Sequence, residues 1–349
     1  MNPGTIPVQL TYSSGANVYP SWTGDGSGIL YSRQRLDVTD GSYCLSRLPA
    51  AGGTEQDVWC GPTFADQEST TVAEVAAASA DGRLAFVRSQ SGVGAETPDR
   101  SGLYLGLYGN PDAASEILPF PANAPGVPVH DALSELRWLD AAHLLYLAEV
   151  RRLQAPCQFC ELDTLRTGVA VVRVTLTDST PTLAMIPGTD SASSYALVGT
   201  DSVYFTRDGQ SAIYRTLLSG GVVDVAYDFG PGRIARGVQA EGGRCWVIVD
   251  GQVTFSTDSG SGATFQRDNG GDLHVITLGT GADTVVQPAP PSLSYTTLWF
   301  RRPLLSPAGT GIAMEGRPVT LVNHYAGDVL ISVDTLIGRT GEIWRYDVH

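Results

Sequence analysis

The sequence predicts an all-β fold: a six-bladed β-propeller of four-stranded antiparallel blades, its ring closed by the N-terminal strand joining the C-terminal blade. Three observations lead there. The stretch Tyr19 to Ser32, YPSWTGDGSGILYS, reads as an apolar strand, a Gly/Asp turn and a second apolar strand, and echoes of it recur along the whole chain. The corresponding turns at Asp25, Asp81, Asp140, Asp201, Glu241 and Ala308 recur on average every ~57 residues, a spacing that suits four-stranded blades with loop insertions. Helical periodicity is almost absent, and its best candidate, DALSELRWL from Asp131, stands where the repeat wants a strand.

The blades are expected at residues 19–61, 73–121, 133–188, 193–229, 234–287 and 299–349 of a single domain spanning 1–349, with 6–12 as closing strand. Blade 1 reads YPSW, ILYSRQ, SYCLSRL and EQDVW, and Cys44 and Cys60 lie symmetrically about Gly52, which suits a cross-strand disulfide. Blade 2 reads EVAAAS, RLAFVRS, GLYLGLYG and SEILPF. Blade 3 reads ELRWLD, HLLYLAEV, GVAVVRVTL and TPTLAMIPG, with an insertion holding Cys157 and Cys160. Blade 4, the most compact, reads SYALVG, SVYFTR, SAIYRTLL and VVDVAYD. Blade 5 reads RGVQAEGG, RCWVIVDGQVTF, DLHVITL and TVVQ, with an insertion from Ser256 to Gly271. Blade 6 reads RRPLLSPAGTGIAMEG and EIWRYDV around a long irregular insertion, and is one strand short; IPVQLTY at the N-terminus supplies it. A lone blade exposes two apolar faces, whereas six packed radially bury both faces of each and leave only short edges.

Composition narrows the function. The chain of 349 residues carries a net charge of -14, and all 22 of its basic residues are arginines. Nucleic acid is therefore not an expected partner, and without lysine neither Schiff-base nor P-loop chemistry is available. No apolar run approaches the roughly 20 residues of a membrane-spanning helix, and MNPGTIPVQL has neither part of a signal peptide, so the chain is expected to be soluble.

The sequence carries few catalytic motifs. The turn acids Asp25, Asp81, Asp201 and Asp208 read as hairpin geometry rather than calcium loops. The best calcium candidate, Ser256 to Gly271 with Asp258, Asp268 and nearby Asp272, reads as a Gly/Ser-rich insertion. Cys157 and Cys160 lack a second ligand pair for zinc and read as a disulfide or as inert thiols; Cys245 stands alone. No GxSxG elbow is present, and His130, His143, His274, His324 and His349 are scattered. Aligning the start of the innermost strand across the copies gives Tyr19, Val75, Glu135, Ser194, Ala235 and Arg302, a set with one carboxylate, which is poor in ligands for an axial metal. The candidate binding residues at the channel mouth are Tyr19, Glu74, Glu135, Arg236, Arg301 and Arg302. No catalytic residue, metal or cofactor is expected. Loops on a rigid ring carry function, so insertions 90–101, 151–167, 256–271 and 317–340 are the expected contact surfaces.

The runs YPSWTGDGSGILYSR, ASADGRLAFVRS and LLSPAGTGIAMEG resemble the PxWSPDGxxIAFxS repeat of the TolB-like propellers, and the preceding QLT is similar to that family's strand ending. The resemblance implies a six-bladed propeller closed between its termini, near bacterial envelope proteins of the Tol-Pal system, which bind other proteins. The α/β domain that precedes the propeller in TolB has no counterpart here, so the Tol-Pal role does not carry over. The expected function is a non-catalytic interaction scaffold or accessory subunit of a membrane-associated assembly, with other proteins as partners. A metal-dependent hydrolase or lactonase using the axial channel, and a sugar- or peptide-binding sensor, are the alternatives. The expected compartment is periplasmic or extracytoplasmic, in keeping with a disulfide, with the cytoplasm as alternative.

Overall fold

A computed structural model describes residues 7–12, 15–37, 42–60, 69–77, 82–91, 100–120, 122–124, 127–153, 164–176, 181–250, 254–257, 264–267, 271–286, 296–327, 329–337 and 341–348. Among them there is no helix, and so none long and apolar enough to cross a membrane. Strand β1 (Val8–Gln9) leads into blade 1, built of β2 (Asn17–Trp22), β3 (Gly28–Gln34), β4 (Tyr43–Pro49) and β5 (Gln56–Cys60). Blade 2 is β6 (Ser69–Ala77), β7 (Arg83–Ser91), β8 (Arg100–Leu107) and β9 (Asn110–Phe120). In blade 3 the short β10 (Ala122–Ala124) precedes β11 (Val127–Asp140), β12 (His143–Leu153), β13 (Thr164–Thr175) and β14 (Thr182–Met185). Blade 4 is β15 (Ala192–Val198), β16 (Ser202–Arg207), β17 (Ala212–Leu217) and β18 (Asp224–Asp228). Blade 5 opens with β19 (Ile234–Glu241) and β20 (Arg244–Asp250). A separate hairpin follows, β21 (Thr254–Thr257) with β22 (Thr264–Arg267), before β23 (Gly271–Thr277) and β24 (Ala282–Val286) complete the blade. Blade 6 contains β25 (Thr296–Leu305), β26 (Gly311–Ala326), β27 (Val329–Ile337) and β28 (Glu342–Asp347).

The core lies in the seams between blades because strand side chains alternate in direction. Leu144 and Tyr146 of β12 pack with Leu103 and Leu118 of blade 2, while Leu145 and Leu147 pack with Tyr195 and Phe205 of blade 4. Each of the remaining neighbouring pairs has its own apolar cluster, including blade 6 against blade 1, where Trp22 and Ile29 meet Ala313 and Ile343. Every fully buried leucine in these seams contributes about 1.5–3 kcal/mol relative to exposure.

The ring closes as expected. β1 pairs antiparallel with β28, with Val8 opposite Arg345 and Gln9 opposite Trp344, and so adds the outermost strand to blade 6. The backbone continues the seam: Leu10 N donates to the Ile343 carbonyl at 2.8 Å, and Asn17 N to the Gly341 carbonyl at 2.7 Å. The Glu342 carboxylate ties both ends, accepting from Thr11 Oγ1 and, at 3.0 Å, from Asn17 Nδ2.

Blade 6 differs from its sequence reading in one respect. The stretch 317–340, expected to be irregular, contains a long hairpin: β26 runs unbroken from Gly311 to Ala326 and pairs β28 along one half and β27 along the other. Its run VTLVNHYA is rich in β-branched and aromatic residues, which favour a strand. Gly327, at φ 63°, then turns the chain. The described residues of the blade 5 insertion likewise form a hairpin, that of β21 and β22.

Candidate functional site

The first strand of every blade carries a β-bulge against its second strand. Two residues oppose one at Tyr19-Pro20, Glu74-Val75, Glu135-Leu136 and Arg302-Pro303. One extra residue stands at Ser193 in blade 4 and at Arg236 in blade 5. A bulge bends the strand and re-aims its side chains. Three of these positions take the left-handed backbone region although none is glycine: Tyr19 at φ 57°, Glu135 at 52° and Arg302 at 51°. For residues with a Cβ this conformation costs about 1–2 kcal/mol.

Tyr19, Glu135 and Arg302 come from blades 1, 3 and 6 and converge on one cavity of 30 Å³, which Pro20, Arg137 and Pro303 also line. The Arg302 guanidinium stacks 4.3 Å from the centre of the Tyr19 ring. Glu135 Oε2 accepts hydrogen bonds from Ser194 Oγ and Tyr195 N, both at 3.1 Å, and from Arg137 Nη2 at 3.3 Å. Burial raises the Glu135 carboxyl above its ordinary value, while Arg137, Arg302 and those hydrogen bonds act in the other direction.

Around the same mouth four arginines gather. Burial lowers Arg301 from its ordinary value, and the neighbouring Arg302, Arg317 and Arg236 lower it further against the pull of Glu315. Glu315 is itself buried and accepts from Arg317 Nε. Tyr43 stands within reach of Tyr19, Glu315 and Arg317, and burial raises its hydroxyl. Below the bulges, Arg137 Nη1 donates to Gln239 Oε1 at 3.1 Å, and the same oxygen accepts from Leu305 N at 3.1 Å. This bridge joins blades 3, 5 and 6 across the axis. Beyond it the channel widens to a cavity of 410 Å³ that opens among Trp22, Trp138, Glu241 and Pro307.

Of the residues singled out from sequence, Tyr19, Glu135 and Arg302 share one cavity, and Arg236 and Arg301 belong to the arginine cluster beside it. Glu74 occupies the matching bulge of β6, but its side chain lies outside the described residues. In blades 4 and 5 the one extra residue falls at Ser193 and Arg236, one residue away from the aligned Ser194 and Ala235, and in blade 2 the aligned Val75 is the second residue of the Glu74-Val75 bulge. Cys44 and Cys60 are register partners joined by a disulfide, Cys157 and Cys160 lie outside the described residues, and Cys245 is a buried free thiol that burial pushes up to about 12. Sequence reasoning missed Arg137, Gln239 and Arg317. Arg137 was findable, since it follows Glu135 by two residues along a strand; Gln239 carries no such signal.

A divalent ion needs several carboxylate or imidazole ligands converging on one point. Among the described residues the axial cavity offers one carboxylate surrounded by arginines. The one grouping of three His, Cys, Asp or Glu side chains among them is Cys44, Asp57 and Cys60, whose sulfurs are spent in the disulfide. These donors do not fit a divalent metal. His143 and His274 are each held by a carboxylate, Asp140 at 2.8 Å and Asp283 at 2.9 Å.

No protein-family model matches the sequence, and no curated protein matches it. Among solved structures, a gluconolactonase from Xanthomonas campestris is similar over 99% of this chain and 91% of its own, with a TM-score of 0.53 at 13% identity. TolB from Acinetobacter baumannii is similar over 99% of this chain and 65% of its own, with a TM-score of 0.46 at 13% identity. A PQQ-bound aldose sugar dehydrogenase from Streptomyces coelicolor covers 99% of this chain and 97% of its own, with a TM-score of 0.47 at 10% identity. At such identities the gluconolactonase likeness is one of fold, that of the β-propeller.

Proposed function

We propose that the protein is a non-catalytic binding propeller, an interaction scaffold that takes its partner at the bulged mouth of the axial channel. One observation carries this reading: three non-glycine residues hold the same strained backbone at equivalent positions of different blades and converge on one cavity. Strain of this kind persists where the surroundings over-determine it, and it gathers at ligand sites. The convergent groups are arginines, a tyrosine and a hydrogen-bonded carboxylate, a set suited to holding a polar partner. Work in an envelope or membrane-associated assembly, in the periplasm or another oxidising compartment, agrees with the Cys44–Cys60 disulfide and with the repeat resemblance.

The competing reading is a metal-dependent hydrolase of the same channel. Metal analysis of dialysed protein, paired with a lactone-hydrolysis assay in added divalent metals, separates the two. The scaffold reading expects no retained metal and no turnover above buffer. A stoichiometric divalent ion that is lost in Glu135→Gln, together with lactone turnover, would overturn it.

A further inference from the structure

The proposed interaction site has an electrostatic polarity and a direction, and we infer that its ligand is an extended acidic peptide segment lying across the axial mouth from blade 1 to blade 4. This inference rests on the scaffold reading and adds the chemistry of the partner. Direction comes from strand lengths. Above the bulges the first strands continue by 69–73 in blade 2, 127–134 in blade 3 and 296–301 in blade 6, but only by Asn17 and Val18 in blade 1 and by Ala192 in blade 4. The tall strands thus continue for five to eight residues, at about 3.3 Å each, against two residues in blade 1 and one in blade 4. In blade 5 the hairpin of β21 and β22 stands in for a tall strand and packs against β27 of blade 6. Blades 1 and 4 are diametrically opposite in a six-membered ring, so among the described residues blades 2 and 3 form one wall, blades 5 and 6 the other, and a trough runs over the axis between them.

Polarity comes from the bulge residues. The wall of blades 5 and 6 presents Arg236, Arg301, Arg302 and Arg317, with Glu315 held among them, in a chain whose net charge is -14. The opposite wall holds Glu135, largely buried and paired with Arg137, and carries Glu74 at the matching bulge, so at its bulges it offers fewer arginines than the wall of blades 5 and 6. Concentrating arginine against the overall field favours a ligand with acidic groups on one side. In an extended peptide, alternate residues face the same side, so acids at every second position meet the arginine wall while the intervening residues face the wall of blades 2 and 3. Planar arginines suit carboxylates through paired hydrogen bonds. Tyr19, held under Arg302 where the trough leaves blade 1, adds an aromatic face for the peptide backbone.

The test is fluorescence anisotropy with a fluorescein-labelled six-residue peptide of alternating Glu and Ser, titrated with the full chain at low ionic strength, with an alternating Lys and Ser peptide as counterpart. Wild type should bind the acidic peptide and not the basic one, with affinity falling as salt is raised. Arg236→Gln and Arg302→Gln should each weaken binding at least about tenfold. Arg215→Gln, which removes the same charge from an exposed pair with Asp224 on the outer part of blade 4, should leave it unchanged. Arg236 is exposed, so its variant tests the site even where Arg302→Gln perturbs folding. No binding of the acidic peptide, equal loss in Arg215→Gln, or displacement by unlabelled tetragalacturonate at equal or better affinity would overturn the inference, the last in favour of an acidic sugar. A failure here, with metal and lactone assays still negative, leaves the scaffold reading standing with a partner of other chemistry.

Discussion

The two ends of the first hairpin in a blade obey different rules. At the turn end of blade 1, Asp25 Oδ1 accepts from Thr23 Oγ1 at 2.6 Å, Ser27 N at 3.0 Å and Ser27 Oγ at 2.8 Å, while Thr23 Oγ1 accepts from Gly28 N at 2.9 Å. Blade 6 repeats the pattern with Ser306 Oγ accepting from Thr310 N at 3.0 Å and Gly311 N at 3.1 Å. Gly26 and Gly309 supply the positive φ, 70° and 67°, at no steric cost. At the bulge end the backbone geometry recurs but the residues do not: tyrosine, glutamate and arginine occupy one strained position. Recurrence of both residue and geometry marks scaffold. Recurrence of geometry with divergent side chains sets the bulge end apart from the scaffold, and it is there that the proposed site lies.

This contrast can be broken most forcefully at the seam, which lies at the bulge end yet serves architecture. Removing residues 1–12 deletes β1, the Leu10 bond to Ile343 and both Thr11 contacts. Thermal and denaturant unfolding should show a loss on the order of 4–5 kcal/mol. A truncated chain that melts with the full one would mean that the ring is not latched there.

At the turn end, Asp25→Ala should cost about 1–2 kcal/mol for its lost hydrogen bonds. The side-chain bond from Thr23, followed by those from Ser27, lowers the Asp25 carboxyl to about 2 from its ordinary 3.8. A depressed folded value gives stability that is present above pH 3.8 and lost as pH falls toward 2. The gap between wild type and variant should therefore close across that window, and a gap that persisted below it would point to packing instead.

At the bulge end the sign reverses. Burial raises the Glu135 carboxyl above its ordinary 4.5, so the folded state holds its proton longer than the unfolded one, and wild type loses stability as pH climbs from 4.5 through the raised value. Glu135→Gln should flatten this slope in melting curves collected across pH. The smallest stability change belongs to Arg302→Gly. Relief of left-handed strain, about 1 kcal/mol, nearly offsets the lost stacking on Tyr19, so stability should stay within about 1 kcal/mol of wild type. Binding of the acidic peptide should nevertheless disappear. A site variant that unfolded the protein while the turn variant did not would erase the distinction between the two ends.

Much of the fold was legible because closure and periodicity leave marks in a single chain. YPSWTGDGSGILYS announces two strands and their turn, and the one-strand deficit of EIWRYDV pointed to IPVQLTY. The disulfide pair is symmetric about Gly52, and the register sets Cys44 opposite Cys60. The 317–340 hairpin was less visible, since Gly316 and Pro318 look like breakers, although in β26 both hold places in the ladder with β25. The bulges were half legible: aligning the copies lined up Tyr19, Glu135 and Arg302 but slipped by one in blades 2, 4 and 5, where the bulges begin at Glu74, Ser193 and Arg236 rather than at Val75, Ser194 and Ala235.

The sequence by itself determined the ring, because alternation and turn chemistry act between near neighbours and need no knowledge of the whole. Only the tertiary structure decided which polar side chains meet. Arg137 and Gln239 stand 102 residues apart and yet share a hydrogen bond across the axis. Radial packing sets that distance, and no local pattern of residues encodes it.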